Sequence, residues 1–206
     1  MKRTALALAL LLPCMAATPE IDKAKALGSP AAPIIIEVFE SFDCPHCKEL
    51  NETTLPLVVR DFVNAGKVYL VHREFPLSPP AHPWAREAAE YATAAGRIGK
   101  YEQVADALFK NQMTWAFVPP NAANQNPKVW ETVATVLTPA EQKKVQELAK
   151  SPSVTGEVER EYQEGVSLGV NATPTMVVTH GPQRFPINAQ NLNYSFLKSM
   201  IDGMAH

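Results

Sequence analysis

The sequence predicts an α/β fold built as βαβ, a large all-helical insertion, and then ββα. Three observations carry this. A β-branched apolar run, IIIEVFE at Ile34–Glu40, leads into a helical pattern and then into a second strand-like run, VYLVHREF at Val68–Phe75. A series of amphipathic helical patterns then fills residues 76–169. After Asn171-Ala172-Thr173 the chain turns extended again in PTMVVTH and RFPI, and it closes on a last helical pattern.

Taken in order, the elements follow from spacing and punctuation. A β-branched, largely apolar run such as IIIEVFE reads as a buried strand. Behind it, Leu50, Leu57, Val58 and Phe62 fall near helical spacing, Pro56 should kink the helix, and Asn64-Ala65-Gly66 should stop it. Strand, helix, strand makes a right-handed parallel unit. In the insertion, Trp84, Ala88, Tyr91 and Ala95 share one helix face, and Tyr101, Val104, Ala105, Leu108 and Phe109 share the next. Val129, Val133, Val136 and Leu137 give a third helix, reached across a Pro- and Asn-rich loop at Val118–Pro127. Thr138-Pro139-Ala140-Glu141 reads as a cap with proline at the first helical position, and Val154, Val158, Tyr162 and Val166 mark a further helix. The extended runs near the end form a hairpin across Gly181-Pro182, before a helix carrying Leu192, Phe196, Leu197, Met200 and Ile201. Residues 18–33 are a Pro- and Ala-rich lead-in, with a short helix expected at Ile21–Leu27. The resulting plan joins 34–75 and 170–206 in one domain around a helical insertion at 76–169.

The first residues have the build of a secretory signal peptide: Lys2 and Arg3, an apolar core from Ala5 to Leu12, and small residues at Ala16-Ala17. That core is far shorter than the roughly 20 residues needed to cross a bilayer. Residues 1–17 are therefore expected to be removed, leaving a periplasmic or otherwise exported protein. Lipid attachment at Cys14 is disfavoured by Pro13, where processing wants a small residue. Removal of the signal leaves Cys44 and Cys47 as the only thiols. An exported chain with one such pair has no disulfide framework, so the pair points to chemistry rather than scaffolding. Without Lys2 and Arg3, 17 basic residues face 21 acidic ones. That acidity argues against nucleic acid as a partner.

The pair lies in FDCPHCKEL, Phe42–Leu50. Where a strand ends and a helix begins, Cys44 meets unpaired N–H groups and the positive end of the helix dipole. Both favour the thiolate, the reactive form of cysteine. Cys47, one turn on, is the natural resolving thiol. Pro45 suits a first helical turn, and the imidazole of His46 can stabilise the Cys44 sulfur. Asp43 opposes ionisation and is expected to point to solvent. A metal site needs about four ligands. Cys44, Cys47 and His46 supply two or three, with no second CxxC to complete them, so no metal and no cofactor are expected. His72, His82, His180 and His206 read as solvated or otherwise satisfied. Thr173-Pro174 enters a strand, where a cis proline makes sense if the loop packs against the dithiol.

These stretches together resemble the thioredoxin superfamily, in its DsbA-like branch, which includes BdbD-type proteins. The matching segments are ALGSPAAPIIIEVFESFDCPHC, GKVYLVHREFPL, HPWAREAAEYA and GVNATPT, in the family's order. The resemblance implies a thioredoxin fold with an inserted helical domain and oxidation of thiols in exported polypeptides. It implies Cys44 as nucleophile, Cys47 as resolving cysteine and His46 as thiolate stabiliser. Pro174 would be the cis proline, with Thr173 beside it contacting substrate backbone. Relatives often place a buried acid six residues before the first cysteine. Here Val38 stands there and Glu37 adjoins it, so either Glu37 is the proton acceptor or water carries the proton. The tail HGPQRFPINAQN also lacks the glycine-rich turn usual in relatives. The expected activity is that of a monomeric disulfide donor to reduced or unfolded exported polypeptides, reoxidised by a membrane-bound partner. A reductase or isomerase on the same fold, or a peptide-binding module with an incidental dithiol, is the alternative. The roughly 16 residues ahead of the first strand leave no room for the dimerisation domain of dimeric isomerases.

Overall fold

A computed structural model describes residues 21–119, 126–187 and 191–204; the expected signal peptide with Cys14, and His206, lie outside them. The centre is a mixed sheet of β1 (Ala26–Leu27), β2 (Ile34–Glu40), β3 (Val68–Glu74), β4 (Thr175–His180) and β5 (Gln183–Ile187), in the order β1-β3-β2-β4-β5. β2 runs parallel to β3 and antiparallel to β4. It is therefore the central strand, and its largely apolar sequence, interrupted only by the buried Glu37 and Glu40, follows from having both faces covered. Ile34, Ile36 and Val38 face a core shared with Leu50, Leu55, Val58, Phe62, Leu197 and Ile201. On the opposite face Phe39 packs with Phe75, Val170 and Val177.

The helix behind β2 is broken as Pro56 requires. It runs as α1 (Pro45–Glu49), a π-helical turn at Leu50–Thr54, α2 (Leu55–Val58) and a second π-helical turn at Val59–Val63. Pro56 has no N–H for the residue a turn behind it, and its ring crowds that carbonyl. The wider turn, closed by the Leu55 N–H on the Leu50 carbonyl, accommodates both.

The lead-in differs from expectation. In place of a helix at Ile21–Leu27 there is a single 3-10 turn at Lys23–Lys25, capped by the Asp22 carboxylate, and then β1 on the edge of β3. Gly28 ends it at φ 95°, and a Cβ there would stand 2.8 Å from both Val63 and the Val68 carbonyl. Only glycine lets the chain pass so close.

The insertion contains α3 (Ala85–Gly96), α4 (Tyr101–Lys110), α5 (Gln112–Trp115), α6 (Pro127–Ala134), α7 (Pro139–Ala149) and α8 (Pro152–Ser167); α9 (Tyr194–Met204) closes the chain. Thr138 and Glu141 form a reciprocal capping box at the start of α7. The helix faces read from sequence supply the core: Trp84, Ala88, Tyr101, Leu108, Val129 and Val154 are buried together. Val136, Val166 and Phe196 are exposed instead; Val136 lies past the end of α6, whose last turn does not carry the stripe that far. Most of the Val118–Pro127 loop lies outside the described residues. Phe42, Cys44 and Cys47 belong to the insertion's core, whereas Leu50 belongs to the core beneath the sheet. The CPHC motif thus sits at the seam between the two. Among the described residues no helix is long and apolar enough to cross a membrane.

Candidate active site

Cys44 is the N-cap of α1, with extended backbone (φ −80°, ψ 119°), and Pro45 follows in the first turn. Its N–H donates to the Ser41 carbonyl at 3.1 Å, closing the turn out of β2. Gln112 of α5 holds this turn from the other side. Its Nε2 donates to the Phe42 carbonyl at 2.7 Å and to the Cys44 carbonyl at 3.0 Å. Neither α5 nor Gln112 is foreseen in the sequence, where a glutamine beside a short helix carries no distinguishing signal.

The loop before β4 faces the motif. Thr173-Pro174 is a cis peptide bond, and the Cys44 thiol donates to the Thr173 carbonyl at 3.3 Å. The Thr173 hydroxyl is buried and has no other hydrogen-bond partner, which leaves it free to donate to a thiolate. Both cysteines are free thiols, Cys44 5% exposed and Cys47 fully buried. The Cys44 thiol is lowered to about 6. The hydrogen bond from the Cys47 thiol contributes most. Burial opposes it, and the Thr173 hydroxyl and the N–H groups of Cys47 and His46 add to it. Cys47 is pushed well above an ordinary thiol, first by burial and then by the Cys44 sulfur and the charge of Glu40. The two sulfurs are therefore set far apart in acidity by position alone.

Three expectations are corrected. The His46 imidazole does not stand over Cys44: its side chain is 77% exposed and lies 3.9 Å from Glu49. What His46 offers the sulfur is its backbone N–H, because the first turn of a helix aims N–H groups, not side chains, at its own start. Asp43 does not point to solvent. It is buried, accepting from the Ser41 hydroxyl at 2.6 Å and lying 2.8 Å from Nδ1 of His82. Glu37, the candidate proton acceptor, is occupied elsewhere. It accepts from Arg73 Nε and Nη2 at 2.9 and 2.7 Å and from Arg184 at 2.8 Å. It lies on the sheet face opposite Val38. The carboxylate whose charge reaches Cys47 is Glu40, two residues further along the same face as Val38. Asn51 links them, donating to Glu40 Oε2 at 2.5 Å and to the Cys47 carbonyl at 3.1 Å.

Beside the sulfurs a groove of about 360 Å³ is lined by His46, Leu50, Thr53, Pro174, Leu192 and Asn193 among others. It mixes apolar walls with a few polar groups, as a peptide-sized cleft does. Among the described residues no group of three or more His, Cys, Asp or Glu side chains is placed to hold a metal ion.

The chain is similar to several known proteins. A 91-residue stretch is 33% identical to the Na(+)/H(+) antiporter NhaA 1 of Salinispora arenicola, covering 44% of this chain and 13% of that protein. The chain therefore spans only a small part of such relatives. Similarity to the "Probable disulfide bond formation protein D" of Bacillus cereus is 24% over 187 residues, covering 86% of this chain and 77% of that protein. Among solved structures, alpha-DsbA1 of Wolbachia pipientis superposes with a TM-score of 0.69 at 20% identity, over 87% of this chain and 89% of that one. The family described as Thioredoxin matches residues 21–202. The chain accordingly belongs to the thioredoxin family, with the DsbA-like form of its fold, in which a helical insertion interrupts the sheet-bearing domain.

Proposed function

We propose that the protein is a thiol–disulfide oxidoreductase that donates a Cys44–Cys47 disulfide to thiols of exported polypeptides after loss of residues 1–17. The observation that carries this is the Cys44 thiol, lowered to about 6 at a helix start and packed against cis Thr173-Pro174. A substrate thiolate held in the groove attacks the Cys44 sulfur of the oxidised enzyme. The disulfide breaks, Cys47 leaves with the electron pair, and Glu40 supplies its proton. A second substrate thiolate then attacks the substrate sulfur of the mixed disulfide. Cys44 departs readily because its thiolate is stabilised, since a leaving thiol of lower pKa leaves faster. Two substrate thiols are oxidised and the enzyme dithiol is reduced. A membrane-bound partner is the expected source of reoxidation.

Mixing the oxidised protein with a reduced, unfolded thiol substrate tests this. Wild type should form substrate disulfides. Cys47→Ala, first loaded at Cys44 with glutathione as a mixed disulfide, should release glutathione to an attacking substrate thiolate and accumulate the substrate mixed disulfide. Cys44→Ser should do neither. The equilibrium potential of the couple decides the direction. A value as reducing as about −270 mV would assign a reductase instead.

A further inference from the structure

We propose that His72 and Glu102 form the route by which the Cys47 proton exchanges with solvent. The inference rests on the thiol–disulfide reading and adds the path of one proton to it. Cys47 is fully buried and Glu40 nearly so, so neither reaches water directly. The Glu40 carboxylate has two ends in use. Oε2 accepts from Asn51, whose amide also holds the Cys47 carbonyl. Oε1 lies 2.6 Å from Nδ1 of His72. The His72 ring is buried, and its other nitrogen, Nε2, lies 3.7 Å from Oε1 of Glu102, whose side chain is 48% exposed. Residues from β2, β3 and α4 thus run from Glu40, whose charge reaches the Cys47 sulfur, to the surface. A pair kept only to tie β2 to β3 is complete with Glu40 and His72; the second ring nitrogen aimed at a half-exposed carboxylate is surplus to that task.

The protons balance over a cycle. In the reduced enzyme Cys47 is a thiol, Glu40 a carboxylate and His72 an imidazolium. Burial opposes that charge, but Glu40, Glu102 and Glu74 outweigh it and raise His72 to about 9. When Cys44 is joined to an oxidant as a mixed disulfide, Cys47 passes its proton to Glu40 and attacks the Cys44 sulfur. The new disulfide forms and the oxidant leaves as a thiolate with the electron pair. Glu40 is now neutral, so His72 loses its main counter-charge and sheds its Nε2 proton to Glu102 and water. On the reductive half, Cys47 leaves as a thiolate and reclaims the proton from Glu40, and His72 is recharged through Nε2. Other titratable groups face this line. Glu74 accepts from the Tyr101 hydroxyl, the Tyr101 ring lies 5.6 Å from that of His72, Lys25 and Glu161 act on Glu74, and Asp106 acts on Glu102.

The test isolates the Cys47 step. Glutathione is attached to Cys44 at low pH, and its release by Cys47 is followed after a jump to neutral pH. Release should slow about tenfold in His72→Gln and several-fold in Glu102→Gln, within the range of lost proton transfer, with a larger solvent deuterium effect and a shifted pH profile. The Cys44 thiolate titration should not move. Glu102 is half-exposed, so its variant keeps the fold and decides the matter if His72→Gln does not fold. Release rates within roughly twofold of wild type, with an unchanged pH profile and isotope effect, overturn the route while leaving the oxidoreductase reading intact. Failure of the wild type to take up or release glutathione at all overturns both.

Discussion

Thr173 shows how much a single side chain can set at this site. Its hydroxyl is buried and otherwise unpartnered, and it is one of the groups that bring Cys44 down to about 6. Thr173→Val keeps the shape and removes the donor. The Cys44 titration, read by thiolate absorbance, should rise to roughly 7, a change of about 1.4 kcal/mol. At neutral pH the reduced enzyme is then less favoured, and the couple becomes about 20 mV more reducing. The sign with pH follows from the lowered thiol. Cys44 reacts as a thiolate above about 6 and loses that reactivity as pH falls through it. Both cysteines and Pro174 were legible in the sequence, because a CxxC after a strand and a TP before one fix backbone positions. The directions of side chains were not. The outward turn of His46 follows from its place in the first helical turn, beside Glu49, while the burial of Asp43 against His82 and the role of Glu40 over Glu37 depend on contacts from residues more than 30 positions away.

At the level of elements, regular periodicity was enough for the long helices and the central strands. Short elements escaped it. β1 exists because β3 offers an edge, and α5 because Trp115 is buried in the insertion's core and Gln112 reaches the CPHC turn. Neither has the length to carry a pattern of its own. α5 nevertheless fixes the site. Replacing Gln112 by Ala leaves the buried carbonyls of Phe42 and Cys44 without this donor, which should cost about 2 kcal/mol. Urea unfolding would register that loss. The Cys44 titration should broaden or rise in the same variant, because the turn presenting the sulfur loses its outer brace. A stability loss with no change at the thiol would mean that Pro45 and the cis-proline loop hold the turn unaided.

Across the whole molecule, the lead-in, the sheet and the insertion meet in buried charge. Lys25 pairs with Glu157 and Glu161, Arg73 with Glu37 and Glu161, and Arg184 with Glu37 and Glu164. Taking such charges out of water costs several kcal/mol per ion, offset only when each finds a partner. Two groups beside these pairs, Glu74 and His72, are shifted so that stability must depend on pH. Burial is the main cause that raises Glu74, to about 8, and the surrounding carboxylates raise His72 to about 9 against burial. Both raised values make the folded chain bind protons more tightly than the unfolded one. The His72 contribution is whole below the unfolded value near 6.5 and disappears as pH climbs through about 9. Glu74 acts with the same sign over a lower window, from 4.5 to about 8, where the fold keeps a proton that the unfolded chain has released. In a Cys44→Ser variant, which removes the lowered thiol whose effect has the opposite sign over this window, the unfolding free energy from urea titrations should therefore fall steadily from pH 6 to 9, by an amount on the order of 5 kcal/mol, about half from each group. His72→Gln should flatten the upper part of that fall and leave the lower part, which belongs to Glu74. A free energy that holds constant or rises between pH 6 and 9 would mean that neither group keeps its proton in the fold, and the proton path from Cys47 would lose its charged relay at His72.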